Sequence, residues 1–505
     1  MKHYIAIIAS LFLPVLLISH GGYINLLSNT VEGVSESNQN QCIEYNSIQK
    51  LILIKCGSIH LTDIYNALYD STVLNVDKGN EKTGTKVWIL NAGIIIDKGS
   101  TLIIDSSDTS WLKITATPTI QIKKPANVTE DTNYSDDTLT VVQNTNSSNS
   151  NSTSNTTNIE NGTITVSKNN ENNPNGIHVH GSLIIDSVKI TSWDPDKNDV
   201  IKFDYGKRPG EEHTKSEYDT IEPRPFIQVS DRATGTTNIT DSELAYLGYS
   251  CSKCSGLSYY GGIGSIIAGN DIHHLLKGFY SKKMGYMVIE NNNIHDNYLY
   301  GIDPHTGTHD MIIRNNKVHH NNATAVVCSK DCYDILIENN EVYENLEGHR
   351  GIAYSINSDH SIIQNNYVHD QDICIGSNRL SDYNKIYNNT LSNCRTGIDL
   401  TDTSYNIVSD NKIVGAQNAL VLQNLTNKII NNKIYNSTNG IVITHSSNSS
   451  DSINSNSSAH FLNQVNLSNE VMGTENPLVI IGAPIKIDSE THLTDFENET
   501  VFGED

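Results

Sequence analysis

The chain has 505 residues, with 34 Lys and Arg against 57 Asp and Glu and a formal net charge of −23. Only 18% of residues are charged and 37% are hydrophobic, the polar balance being carried by Asn, Ser and Thr. That profile argues against a coiled coil and a multi-span membrane protein, and so acidic a chain lacks the cationic surplus that general nucleic-acid binding needs.

In chain order, Met1-Lys2-His3 precedes an apolar run from Tyr4 to Ile18, the pattern of a secretory signal over 1–22. An uncleaved N-terminal anchor is the alternative, and would be the only membrane attachment. Either way the protein is expected outside the cell membrane, secreted or at the cell surface. Residues 23–86 read as a small N-terminal cap. From Val87 short alternating apolar runs begin, such as Ile94–Ile96 and Leu102–Ile104. Residues 127–175 are almost pure Asn, Ser, Thr and Asp, too polar to bury a core, and read as a disordered insert. Gly176–Trp193 resumes the apolar pattern, which continues to 445. Residues 446–458 form a Ser/Asn linker, and 459–505 a β-rich end segment, read as a second cap.

A repeat sets the fold. An apolar residue precedes an Asn pair in Ile289-Glu-Asn-Asn292, Ile313-Arg-Asn-Asn316, Ile337-Glu-Asn-Asn340, Ile363-Gln-Asn-Asn366 and Ile386-Tyr-Asn-Asn389, and the second Asn recurs at 411 and 432. The spacings are 24, 24, 26, 23, 22 and 21. Each unit holds short alternating runs and no helical stripe, so the unit is a coil of strands and the whole an all-β solenoid: a right-handed parallel β-helix over 87–445. Asn suits a left-handed turn, and its amide can bond the Asn stacked on it. His273, His295, His319 and His369 fall three residues after the repeat Asn, with Tyr343 in the same slot. A slot that recurs in every coil is structural before it is catalytic.

The eight Cys are even in number, which in an oxidising compartment points to disulfides. The simplest pairs are Cys42–Cys56, Cys251–Cys254, Cys328–Cys332 and Cys374–Cys394. Asn-X-Ser/Thr sequons such as Asn238 and Asn388 would be glycan acceptors in an exported chain.

One unit breaks the repeat. In Tyr300-Gly301-Ile302-Asp303-Pro304-His305, Asp, Pro and His stand where other units have strand residues such as Gly440-Ile-Val-Ile443. A local rule broken inside a regular solenoid marks a functional site. Asp399 repeats Gly-Ile-Asp without Pro or His, a sign that Asp here can also be structural. In coil register, Lys282 stacks beside His305 on one side, and Ser329 and Lys330 on the other. Gly348-His349-Arg350-Gly351 comes two coils later, near the column of Tyr300. Lys277, Lys282, Lys283, Arg314, Lys317 and Lys330 outnumber the acids over this stretch, so an anionic ligand is expected on this face.

At these residues the chain resembles the mannuronan C5-epimerase family, chiefly in Tyr300-Gly-Ile-Asp-Pro-His305, with support from Asp241–Tyr249 and Ser192-Trp-Asp-Pro195. The resemblance covers about 87–440 without the insert. It implies a right-handed β-helix that converts mannuronate to guluronate within a polymer. It carries directly onto Tyr300, Asp303 and His305, and onto His349 with a shift of one, since the family tends to place Arg before His. The calcium-binding nonapeptide repeats of the secreted members are absent.

The implied chemistry removes the proton α to a carboxylate and returns one from the other face of the ring. That needs a base, an acid and groups that neutralise the carboxylate. Tyr300 and His305 are the acid–base pair, in either order. Asp303 orients His305 or bonds the substrate carboxylate. Arg350, Lys282, Lys330 and Arg314 are the substrate-binding cations. The expected partner is an anionic polysaccharide, with the enzyme acting as a monomer. No cofactor is assigned from the sequence, and calcium, which loop Asp and Asn oxygens suit, is the candidate metal. A polyuronate lyase and a non-enzymatic, carbohydrate-binding or copper-accessory β-helix are the alternatives.

Overall fold

The computed structural model describes residues 42–78, 85–116, 176–202, 223–423, 427–444 and 466–481, with short strands at 138–142, 163–167, 493–494 and 501–503. The expected signal at 1–22 and most of the 127–175 insert lie outside the described residues. Within the insert, Thr138–Val142 and Thr163–Ser167 pair antiparallel. No described helix is long and apolar enough to cross a membrane.

A coil contributes three short strands. One coil runs Val288–Glu290, Asn293–His295 and Ile302–His305. The next runs Ile312–Arg314, Lys317–His319 and Val326–Cys328. Strands stack on their counterparts in parallel, Ile289 on Ile313 and Ile294 on Val318, so the coils build three long ladders. The three-residue strands have one inward side chain each. Ile289, Ile313, Ile337, Ile363 and Ile386 are all at 0% exposure, stacked on their own kind in a single core. Each such Ile stabilises the fold by roughly 1.5–3 kcal/mol through burial.

The two asparagines of the repeat divide the work. The first turns the corner: Asn291, Asn315, Asn339, Asn365, Asn388 and Asn431 have φ between 54° and 56°. The second points inward and forms a ladder of its own. The Asn340 amide donates to Asn366 Oδ1 at 3.0 Å and to the Ile313 carbonyl at 3.0 Å. Its Oδ1 accepts from the Asn316 backbone and side-chain amides, each at 3.0 Å. The series runs from Asn270 through Asn292 to Asn432 and Asn469. A shorter ladder, Asn297–Asn321–Asn345–Gln371, holds the next corner. A polar side chain is tolerated at 0–7% exposure because its amide group has a partner in a neighbouring coil.

The histidines form one column, as their spacing suggests. His273, His295, His319, Tyr343 and His369 stack ring on ring with centroids 4.7–5.1 Å apart.

The ladders extend beyond 87 and 445. Leu51–Ile54 pairs parallel with Gly93–Ile96, and Ser58–His60 with Thr101–Asp105. A helix, Leu61–Leu68, follows and packs against these first strands. At the other end Asn439–Thr444 pairs with Asn476–Ile481, and Asn469 takes the ladder position after Asn432. Residues 466–481 are thus a further coil, not a separate cap. Disulfides join Cys42–Cys56, Cys251–Cys254 and Cys374–Cys394. The expected Cys328–Cys332 bridge is not formed: both are buried thiols, and Cys332 Sγ contacts the carbonyls of Pro304 and Lys330 at 3.5 Å.

Candidate active site

The third ladder carries the residues that break the repeat. Lys277–Lys282 pairs with Ile302–His305 so that Tyr280 faces Asp303 and Lys282 faces His305. Ile302 is in the core, so strand alternation turns Asp303 and His305 to the outer face. Asp303 is nonetheless at 0% exposure. Its cover is polar. Lys277 Nζ donates to Oδ2 at 2.8 Å and Ser329 Oγ to Oδ1 at 2.6 Å. Lys277 stands one coil before Tyr300, whose carbonyl accepts from Gly278 N, and its ammonium lies 5.3 Å from the Tyr300 ring and 4.4 Å from the Tyr280 ring. One lysine thereby ties together Asp303, Tyr300 and Tyr280.

His305 is half-buried at the edge of this cluster, its ring 5.6 Å from that of Tyr280. Its Nδ1 bonds the Thr306 hydroxyl at 2.6 Å, and its Nε2 makes no hydrogen bond to a described residue. Burial holds the imidazole below its usual pKa. Asp303 pulls upward, while Lys277, Lys282 and Lys330 push in the same direction as burial. The neutral ring is therefore the resting form near pH 7. Tyr280 is raised to about 12 by burial, with the Asp303 charge adding.

Of the sequence-predicted residues, Tyr300, Asp303 and His305 come together, with exposed Lys282 and Lys330 beside His305. His349 and Arg350 stand apart. Their strand is two coils on, about 10 Å along the axis. The Arg350 side chain runs further away still, over Gly376, where a Cβ would come within 2.4 Å of its Nε, and its Nη2 meets Asp399 Oδ2 at 3.3 Å. Asp399, the suspected structural Asp, is thus the partner of Arg350. Arg314 does not reach the site. It lies on another ladder, where its Nε donates to Glu290 Oε2 one coil back at 2.7 Å. Lys277 and Tyr280 are the members that sequence reasoning did not assign to the site. Among the described residues no group of three or more His, Cys, Asp or Glu side chains is placed to hold a metal ion.

Residues 227–379 and 353–459 match the family described as a right handed beta helix region. Among solved structures, the periplasmic alginate epimerase AlgG is similar at 16% identity over 87% of this chain and 82% of that one, with a TM-score of 0.50. A point mutant of it gives 16% over 90% and 85%, with a TM-score of 0.52. The fold is an alginate-epimerase-like right-handed β-helix. At that identity the likeness speaks for the fold alone. No curated protein matches the chain by sequence.

Proposed function

We propose that the chain is a polysaccharide-modifying enzyme, acting outside the cell membrane, that epimerises C5 of uronate residues within a polymer, mannuronate to guluronate. One observation carries the reading. On the outer face of the third ladder a carboxylate is fully buried under a lysine and a serine, with a tyrosine and a neutral histidine at its rim. A structural ion pair needs no such neighbours. The Tyr-Gly-Ile-Asp-Pro-His resemblance and the shared fold support the choice of substrate.

In this mechanism the uronate carboxylate sits against Lys282 and Lys330, which neutralise it and so acidify C5–H. His305 Nε2 takes the C5 proton, since its lone pair is available when Nδ1–H donates to Thr306 Oγ1. The electron pair of the C–H bond moves into the carboxylate, and the resulting enolate is stabilised by the same ammonium groups. Tyr300 returns a proton from the opposite face, and solvent resets both groups. Asp303, ion-paired to Lys277, fixes the strand and keeps Lys277 against the Tyr300 ring.

The test is proton NMR of polymannuronate in deuterated buffer. Wild-type protein should introduce deuterium at C5 and generate guluronate signals, and a folded His305→Ala variant should do neither. Growth of the unsaturated-uronate absorbance band would assign the site to β-elimination instead. Polymer binding without deuterium uptake would make it a binding protein.

A further inference from the structure

The corner that leads out of the site ladder is made of left-handed residues. One column holds Tyr286, Asp310, Asp334, His360, Tyr383 and Tyr405, with φ between 47° and 59°. Asp is an ordinary occupant of that conformation. Tyr is not, because its Cβ crowds the backbone and its ring returns no short hydrogen bond. At the repeat corner the same requirement is met by Asn. The tyrosines gain little burial in exchange: Tyr286, Tyr383 and Tyr405 are 62%, 50% and 55% exposed. Leu380, beside Tyr383, is also left-handed and 64% exposed. Neither backbone preference nor core formation selects these side chains.

The rings form a ridge. His309 stacks on Tyr333 at 4.9 Å and contacts Tyr286 at 5.8 Å. Tyr383 lies between His360 at 5.3 Å and Tyr405 at 5.1 Å. At one coil per step, Tyr286 to Tyr405 spans about 24 Å of the axis. The histidine column is built otherwise. The side chains of His273, His295 and His369 are only 13–18% exposed and face Glu243, Asp271 and Glu341. The hydroxyls of Tyr286, Tyr383 and Tyr405 have no hydrogen-bond partner among the described residues.

Chemistry narrows the occupant. Phenolic hydroxyls that donate and accept, apolar ring edges, and carboxylates that accept from hydroxyl groups suit a sugar chain. The ridge is flanked by Asp310, Asp331, Asp334, Asp359, Asp382 and Asp402, against the cations Lys283, Lys330 and Arg379. The Asp359 carboxyl is raised by burial, with the nearby Asp382 charge adding. A polyanion is repelled there. It is favoured on the site ladder, where Lys282 stands beside His305. We infer that this ridge is a second glycan-binding surface, for an uncharged, hydroxyl-rich polysaccharide, separate from the candidate active site.

The test uses the full chain and the Tyr383→Asn/Tyr405→Asn double variant. Asn fits a left-handed corner, so the variant should fold and melt no lower than wild type. Affinity electrophoresis in gels containing soluble cellulose derivative without charge, β-1,3-glucan or mannan is run beside gels containing polymannuronate. Wild type should be retarded by at least one neutral polymer, the double variant at least tenfold less, and Tyr286→Asn to an intermediate degree. C5 exchange on soluble polymannuronate should be unchanged in all three. Retardation by none of the neutral polymers overturns the inference, as does undiminished retardation of the double variant. Failure of the epimerase reading removes the C5-exchange control and leaves the retardation in neutral-polymer gels, which alone decides this inference, untouched.

Discussion

Lys277→Met tests whether the buried ion pair organises the site. The substitution keeps an apolar stem against Tyr280 and Tyr300 and removes the ammonium 2.8 Å from Asp303 Oδ2. Breaking one side of a buried pair costs ~3–5 kcal/mol, because the remaining charge is left without compensation. Ser329 still donates at 2.6 Å, a charge-assisted bond that offsets part of this. A net loss of about 2–4 kcal/mol at neutral pH follows. The reverse change is milder. In Asp303→Asn the lysine, already 16% exposed, can turn to solvent, and Ser329 can bond the amide, for a cost of about 1–2 kcal/mol. The double variant removes both charges at once and should be more stable than the sum of the singles predicts by about 1.5–3 kcal/mol. Urea denaturation of the four proteins, with slopes checked for constancy, measures this cycle. Additivity of the singles within about 0.5 kcal/mol would refute the argument, since independent sites behave that way.

Other consequences can be measured on the same footing. Asn340→Ala removes four hydrogen bonds and leaves the Asn316 amide and the Ile313 carbonyl short of partners, so it should cost ~3–5 kcal/mol by denaturant titration. Its neighbour Asn339→Gly should be within about 0.5 kcal/mol of wild type, because Gly accepts φ 54° without strain. The pH–rate profile for C5 exchange should keep its plateau below the usual imidazole pKa before falling on the acid side, because burial holds His305 down. An acid limb centred above 6.5 would remove His305 as the base. Hydrogen bonds to Asp271 and Asp296 raise His295 to about 9, so its folded-state proton contributes stability that is complete below 6.5 and lost as pH rises through 9. His274 and His319, held by burial at about 4, give the opposite slope as pH falls from 6.5. Melting temperature against pH should therefore peak near 6.5, and Asp271→Asn should flatten the alkaline side.

The solenoid was legible because its period is written in residue types that each have one physical job. Ile fills the core, one Asn turns, the next Asn bonds up and down the stack. What the spacing could not show is that the paired asparagines differ in everything but identity, one exposed and left-handed, the other at 0–4% exposure. Nor could it show where the stack ends. Asn469 lies 37 residues after Asn432, beyond a polar linker, so the interval hides a ladder partner that the hydrogen bonds make plain. The thiols Cys328 and Cys332 were close enough in sequence to suggest a bridge. Strand alternation, which aims Cys328 into the core, was the stronger constraint.

The site was legible where the repeat was broken and opaque where long side chains cross between coils. Asp303 and His305 announce themselves by occupying strand slots, and Tyr300 leads into that strand. Lys277 does not. It stands in the Tyr300 column, and only its four-carbon stem brings the ammonium diagonally to Asp303. The pairing of its strand with Gly256–Tyr259 also slips in register, which defeats counting. Arg314 was misplaced for the opposite reason, since its distance from Glu290 is one repeat of 24 and already says ladder neighbour. Arg350 shares the Tyr300 column, but a missing Cβ at Gly376 lets it lie the other way towards Asp399. A Gly376→Ala variant would make the two alternatives compete. With the path over residue 376 closed, the guanidinium must leave Asp399 and turn to solvent or to the Tyr300 side. If it reaches the substrate, KM for polymannuronate should fall while Asp399→Asn, harmful in the parent, becomes neutral in the variant. If Asp399→Asn costs the same stability in both backgrounds, Arg350 has not moved and its place is structural.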